Sequence, residues 1–352
     1  MPVKKNITIY DIAREAHVSP ATVSRILTGN TMVSKAKRDA VTALIDKYSF
    51  RPNAMARALT ETHSHIIGMI SADANNPYYN SVFTACENEA HRRGYVLMLF
   101  NTCSRPELEE AALLKLREQR VDAIILCGGR VDLIENDPDF MRLLDNALES
   151  TPIIVGSRSP HKRVYGVGVD HERSMDLALE YLISLGHTDI GFMYTGKQFY
   201  GTQAYLTRFY RTMQRSGLRI RDEWMISVDG YDCMSGREGI KKLMRCRQLP
   251  TALLGINDMV TAGALQGLSA YGMRVPEDIS LMGFDDTYIT TITSPELTAV
   301  DFDYAHYGRE LLDAAMCAID GTRSPYTHLI APSLSIKKSC APLKRHELRG
   351  MI

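Results

Sequence analysis

From residue 66 onward, short apolar runs alternate with segments of helical periodicity, and that alternation confines the chain to a parallel α/β architecture. The runs fall at 66–71, 95–100, 123–127 and 153–156. Helical patterns at about 79–93, 107–119 and 138–148 lie between them. A second set of runs, at 166–170, 190–194, 225–228, 252–256 and 280–284, repeats the theme. Parallel neighbours need a long crossover, and the intervening helices supply it. Two doubly wound parallel-sheet subdomains over 66–341 are therefore expected, with a ligand cleft at the carboxyl ends of their strands.

The first sixty or so residues read differently. Ile9, Ile12, Ala13 and Ala16 recur at helical spacing. Ser19 is a good N-cap, and Pro20 suits the first helical position, where its missing N–H costs nothing. A second short helix runs from Pro20 to about Leu27 and buries Val23, Ile26 and Leu27, with Gly29 as its stop. Ser34 caps a third helix, whose core face is Val41, Leu44, Ile45 and Tyr48. Three short helices with a tight first turn fit an all-α helix-turn-helix head over 1–51. Residues 1–61 carry ten basic and five acidic side chains, while the whole 352-residue chain has a formal net charge of +0. A basic head on a mildly acidic body fits a polyanion partner for the head alone.

Composition narrows the class further. At 45% hydrophobic and 23% charged, the chain reads as a soluble globular protein. No window approaches the roughly 20 apolar residues of a membrane span, and the N-terminus lacks the apolar stretch of a signal peptide. A cytoplasmic protein without membrane contact is expected. The seven cysteines are scattered and form no CxxC pair, so buried free thiols are expected, and neither a zinc or other metal site nor a disulfide framework. No GxSxG, Walker loop, HExxH or strand-following GxGxxG occurs, which argues against an enzyme and against a cofactor. Gly128-Gly129-Arg130 reads as a loop, and His187 as structural.

ITIYDIAREAHVSPATVSRILTG, then VSKAKRDAV, then FRPNAMARAL, without a gap, resembles the LacI/GalR family of bacterial regulators. The resemblance continues through Asn76-Pro77-Tyr78-Tyr79, LISLGH at 182–187, Ile256-Asn257-Asp258 and VPEDISLMGFDD at 275–286. It implies a sensor similar to periplasmic sugar-binding proteins, with three chain crossings between subdomains. It also implies a homodimer on a pseudo-palindromic operator, controlled by a small effector: a sugar that releases DNA or, as in purine-sensing relatives, a corepressor that tightens it. A ligand-binding protein without regulatory role is the remaining alternative.

Specific roles follow. Pro20 and Ala21 open the recognition helix and can make only apolar base contacts. Arg25 can reach a guanine edge bidentately, and Thr22 and Ser24 are sized for phosphates. By resemblance, Ile9 and Tyr10 touch the backbone, the alternative for Tyr10 being simple packing. The family's hinge helix maps onto 52–65 with its linker, placing Asn53, Ala56 and Arg57 against DNA and Leu59 as a minor-groove wedge. In the cleft, Tyr78 and Tyr79 can stack on a sugar ring, and Asn76, Asn257 and Asp285 can bond hydroxyls. Arg130, Arg158 and Asp170 sit near strand ends, while Asp258 and Asp286 fit caps or turns. The family's Ser-x-x-Arg-x-x-Gly-aromatic segment reads TQAYLTRF at 202–209 here. Phe209 fits the aromatic, Gln203 and Tyr205 stand where arginines are common, and Arg208 replaces the glycine, so the effector's identity does not transfer. The tail at 342–352 offers no leucine heptads for a tetramer.

Overall fold

In a computed structural model, which describes residues 7–27, 33–48, 50, 63–135, 137–159 and 161–343, the head opens on a capping box. The Asp11 N–H donates to Thr8 Oγ at 3.3 Å, and the Thr8 N–H donates to Asp11 Oδ2 at 3.0 Å. This starts α1 (Ile9–Glu15). The Thr22 N–H donates to Ser19 Oγ at 3.2 Å, which caps α2 (Pro20–Leu27). With α3 (Lys35–Tyr48), these helices enclose Ile12, Ala13, Val23 and Val41. Tyr48, expected in that core, instead donates its hydroxyl to Glu15 at 2.8 Å, beside a Lys47–Glu15 ion pair of 2.8 Å. Both contacts link α3 to α1, and the exposed ion pair adds little energy. The expected stop at Gly29 and the whole of 51–62 lie outside the described residues.

The chain divides into two compact units, Met1–Ser64 and His65–Ile352. The larger begins with β1 (Ile66–Ser71), α4 (Pro77–Arg92), β2 (Val96–Asn101), α5 (Pro106–Glu118), β3 (Ala123–Cys127), α6 (Pro138–Leu148), β4 (Ile153–Val155) and β5 (Tyr165–Val169). Then follow α7 (His171–Ser184), β6 (Ile190–Tyr194), α8 (Tyr200–Arg215), β7 (Met225–Ser227), α9 (Cys233–Leu243), β8 (Ala252–Gly255), α10 (Asp258–Ala270) and β9 (Ser280–Asp285). It closes with α11 (Ile289–Ile292), β10 (Thr298–Asp301), α12 (Tyr304–Asp320), β11 (Thr327–Ile330) and β12 (Ser333–Ser335).

Two sheets result, ordered β11-β5-β4-β3-β1-β2 and β12-β10-β9-β8-β6-β7. All pairings are parallel except β10 with β12. The central strands are buried on both faces, which is why β3, β4, β6 and β8 read as nearly unbroken apolar runs. The strand at 165–169 was grouped above with the second set; its pairing of Ile154 with Tyr165 puts it in the first sheet instead. The chain leaves the first sheet after β5, returns after β10 to add α12 and β11, and leaves again for β12, making three crossings. The strands β10, β11 and β12 were not anticipated, because they are three or four residues long and mix polar with apolar positions.

His187 is structural: its Nδ1 lies 3.0 Å from Thr251 Oγ1, and its Nε2 lies 3.0 Å from Ser280 Oγ and 3.1 Å from the Ala341 carbonyl. The seven cysteines are free, but only Cys86 and Cys127 are buried, and Cys103 is exposed. Among the described residues, no helix is long and apolar enough to cross a membrane.

Candidate functional sites

On the head, α2 divides its faces by period. Val23 is buried and Ile26 and Leu27 pack on the core, while Ala21 and Arg25, one turn apart, are exposed on the other side. The first turn of α2 carries no acidic side chain to offset its positive dipole end, a favourable setting for a phosphate. Thr22 Oγ1 lies 2.9 Å from Ser19 Oγ, so the hydroxyl is held at that end of the helix. Tyr10 is 68% exposed, which rules out the packing alternative, whereas Ile9 packs against the core.

In the larger unit, the two sheets share a topology whose order reverses between β1 and β3, and again between β6 and β8. At such a switch point the loops splay apart and leave a crevice. The crevice is real: a cleft of about 1330 Å³ is lined by the segments that follow these strands. Asn76, Tyr78 and Tyr79 come after β1, Arg130 and Asp132 after β3, Tyr205 from α8 beyond β6, and Asn257 after β8. Gly128 adopts φ +78, where a side chain is strained, and a Cβ there would collide with the Tyr79 hydroxyl.

The cleft's charges divide into satisfied and unsatisfied. Arg130 donates to Glu109 at 2.7 Å, Glu110 at 3.0 Å, Asp137 at 3.3 Å and the Pro106 carbonyl at 3.3 Å. Arg208 donates its Nε to Asp176 at 2.8 Å and pairs with Glu172 at 3.3 Å. Among the described residues, Asp132 and Asp285 have no such cation. Asp132 Oδ1 is buried without a hydrogen-bond partner, and burial pushes its carboxyl up to about 6 despite a bond from Ser157. Asp285 is 9% exposed, and its side chain has no hydrogen bond or ion pair among the described residues. Burial first, and then the charge of Asp258, hold its carboxyl well above the usual range. His171 Nδ1 is likewise buried without a partner, and burial lowers the imidazole to about 4, so the ring is neutral. Tyr78, Tyr79, Tyr205 and Tyr231 complete the walls.

One edge of the cleft is bridged. Leu133 and Phe199 form an antiparallel backbone bridge, and the Ile134 N–H donates to the Gln198 carbonyl at 3.0 Å. Arg158 lies over the Tyr200 ring, 5.7 Å from its centroid, and donates to its hydroxyl at 3.4 Å.

The profile described as bacterial regulatory proteins, lacI family, matches residues 8–53, and that of a periplasmic binding protein-like domain matches 179–340. HTH-type transcriptional regulator DegA of Bacillus subtilis (strain 168) is 30% identical over 338 residues, covering 96% of this chain and 98% of its own. The chain belongs to the LacI family. It is thus a DNA-binding transcriptional regulator and not an enzyme. HTH-type transcriptional repressor PurR of Haemophilus influenzae (strain PittEE) is 30% identical over 345 residues, covering 94% of this chain and 98% of its own. Catabolite control protein A of Priestia megaterium is 32% identical over 301 residues, covering 84% and 87%. Among solved structures, the lac repressor dimer bound to operator and the anti-inducer ONPF superposes with a TM-score of 0.84 at 25% identity, covering 96% of this chain and 100% of that one.

For this LacI-family sensor, the structure brings Asn76, Tyr78, Tyr79, Arg130, Arg158, Asp170, Asn257 and Asp285 to the cleft wall. Three of them are also helix caps. Asn76 accepts from the Tyr78 N–H at 3.0 Å, Asp170 from the Arg173 N–H at 2.9 Å, and Asn257 from the Val260 N–H at 2.8 Å. The guanidinium of Arg130 is occupied by carboxylates, so it shapes the wall rather than offering a free hand to a ligand. Two expected residues are not at the cleft. Phe209 is fully buried and stacks on Phe192 with ring centroids 5.8 Å apart. The Gln203 amide donates to the Lys197 carbonyl at 2.9 Å. Tyr205, one turn before Phe209 on the same face of α8, is the aromatic that lines the cleft, packed on Phe284 and His171. Asp258 receives the Thr287 hydroxyl, and Asp286 receives the Thr290 hydroxyl and the Lys337 ammonium, so both are structural. Asn53, Ala56, Arg57 and Leu59 lie outside the described residues. Asp132, His171 and Tyr231 were missed. Asp132 follows Gly128-Gly129 in a single 3-10 turn, and Tyr231 precedes α9 in a loop, so neither falls in a periodic pattern.

Proposed function

We propose that this regulator is a cytoplasmic homodimeric repressor that binds a pseudo-palindromic operator through its paired heads, under the control of a sugar or sugar derivative bound in the sensor cleft. Arg25 reads bases, aided by apolar contacts from Pro20 and Ala21. Ile9, Tyr10, Thr22 and Ser24 touch the backbone, and 52–65 forms the hinge, with Leu59 as the minor-groove wedge. Dimer symmetry would impose the symmetry of the operator, and the lac repressor relative is described as a dimer on its operator. The observation that carries the effector reading is a pair of buried carboxylates with no ion pair among the described residues, Asp132, whose Oδ1 lacks a hydrogen bond, and Asp285, among four tyrosines. Carboxylates accept hydroxyl hydrogens, and aromatic faces cover the apolar side of a sugar ring. Arg130 and Arg208, which could have held an anionic ligand, are already neutralised.

Selection of random duplexes by the purified full chain tests the DNA half. Two inverted half-sites are the expected product, and absence of binding at low salt would overturn it. Adding neutral sugars, phosphorylated sugars and purine bases to the selected complex tests the effector half. Release by a neutral sugar supports an inducer. Strengthening by a purine would replace it with the corepressor reading, which carries the opposite sign.

A further inference from the structure

The geometry points to a second ligand site on this sensor, outside the cleft: a zinc-class divalent transition-metal site formed by His306, Glu310 and His328. His306 and Glu310 are four residues apart on α12 and so share one helical face. His328 comes from β11, whose neighbour Thr327 and second neighbour Leu329 line the cleft. Successive strand side chains alternate, so His328 points away from the cleft and toward α12. His306 Nδ1 lies 3.9 Å from Glu310 Oε1, and His328 Nε2 lies 3.9 Å from Glu310 Oε2. One donor atom from each of the three lies within 4.8 Å of the other two.

These separations are too long for hydrogen bonds and close to what a metal requires. With metal–ligand bonds of about 2.0–2.2 Å, tetrahedral donors stand roughly 3.3 Å apart. The His–Glu separations of 3.9 Å are longer than that and all three donors lie within 4.8 Å of one another, so the side chains, which are only half-buried, would rotate to close on an ion. Among the described residues no lysine or arginine forms an ion pair with Glu310, whose carboxylate faces the two imidazoles. The donors also stand on fixed elements. Asp303 caps α12 by accepting from the His306 N–H at 3.0 Å, and β11 is held by pairing His328 with Val167 of β5. Two imidazoles and one carboxylate favour zinc, nickel or copper over magnesium and calcium, and water would fill the open position. A bound ion would tie α12 to β11, the two elements between the second and third chain crossings, and couple metal supply to sensor stability.

Isothermal titration of the tag-free full chain with zinc, paired with thermal melting, tests the site. One ion per chain with micromolar affinity is expected, along with a higher melting midpoint in zinc and none in magnesium. His306→Gln and His328→Gln should each weaken binding by about ten-fold or more while melting like the parent without metal. Cys103→Ser, which removes the exposed thiol, should bind as the parent does. Absence of saturable binding, binding unchanged in both histidine variants, or binding lost in Cys103→Ser would each overturn the assignment.

Discussion

The head and the sensor place their functional groups in opposite ways. The head keeps its candidate readers on the surface: Tyr10, Ala21 and Arg25 are exposed while Val23, two residues from both Ala21 and Arg25, is sealed in the core. The sensor draws its groups inward, and Asp132 and Asp285 sit in a cleft where burial penalises their charge. A surface reader costs the fold nothing and waits for a polyanion. A buried carboxylate without a partner costs stability until a ligand supplies the missing hydrogen bond. The difference suggests that stability and recognition are separable in the head and opposed in the sensor.

The largest expected effect tests that separation. Val23→Asp puts a charge into the head's small core and should abolish operator binding, measured by gel shift, while the sensor still melts as the parent does. Loss of the sensor transition as well would show that the two units do not fold separately. Within the sensor, Phe209→Ala should cost about 3–5 kcal/mol of stability through its cavity, whereas Tyr205→Phe should melt normally and change effector affinity, as read by calorimetry. The reverse pattern would put Phe209 back in the site. Arg25→Ala should reduce operator affinity about ten- to hundred-fold and relax base preference at one position. A uniform loss across all sequences would limit Arg25 to phosphate contact.

The smallest effect is the most diagnostic of the comparison. Because burial raises Asp132 from 3.8 to about 6, its ionisation is easier in the unfolded chain. Its contribution to stability is therefore complete below about pH 4 and lost as the pH rises through about 6. Asp132→Asn should remove that slope, raise stability at pH 7 by about 1–3 kcal/mol and weaken effector binding. Gain of stability with unchanged effector affinity would make Asp132 a structural accident.

The head was readable because its roles follow one another along a single helix: Ser19 as cap, Pro20 as first residue, Val23 inward, Arg25 outward. The cleft was readable only in part. Asn257 and Asp285 stand directly after apolar runs and Asn76 in the short loop after one, and their place near a strand end was visible. Phe209 misled because period 3.6 puts it on the same face as Tyr205, and sequence cannot say which turn of α8 reaches the cleft. Arg130 misled because its partners Glu109 and Glu110 lie 21 and 20 residues away on α5.

Sequence by itself determined the elements: the capped head helices, the buried strands and the alternation that makes the sheets parallel. These are set by neighbours within one or two turns, where periodicity and capping act. Tertiary structure alone decided that β5 joins the first sheet, that β11 returns to it, that each nitrogen of the Arg130 guanidinium finds an acceptor, and that Asp132 and Asp285 have no ion pair among the described residues. Those outcomes depend on which distant side chains meet in a low-dielectric space, and no local pattern encodes that meeting.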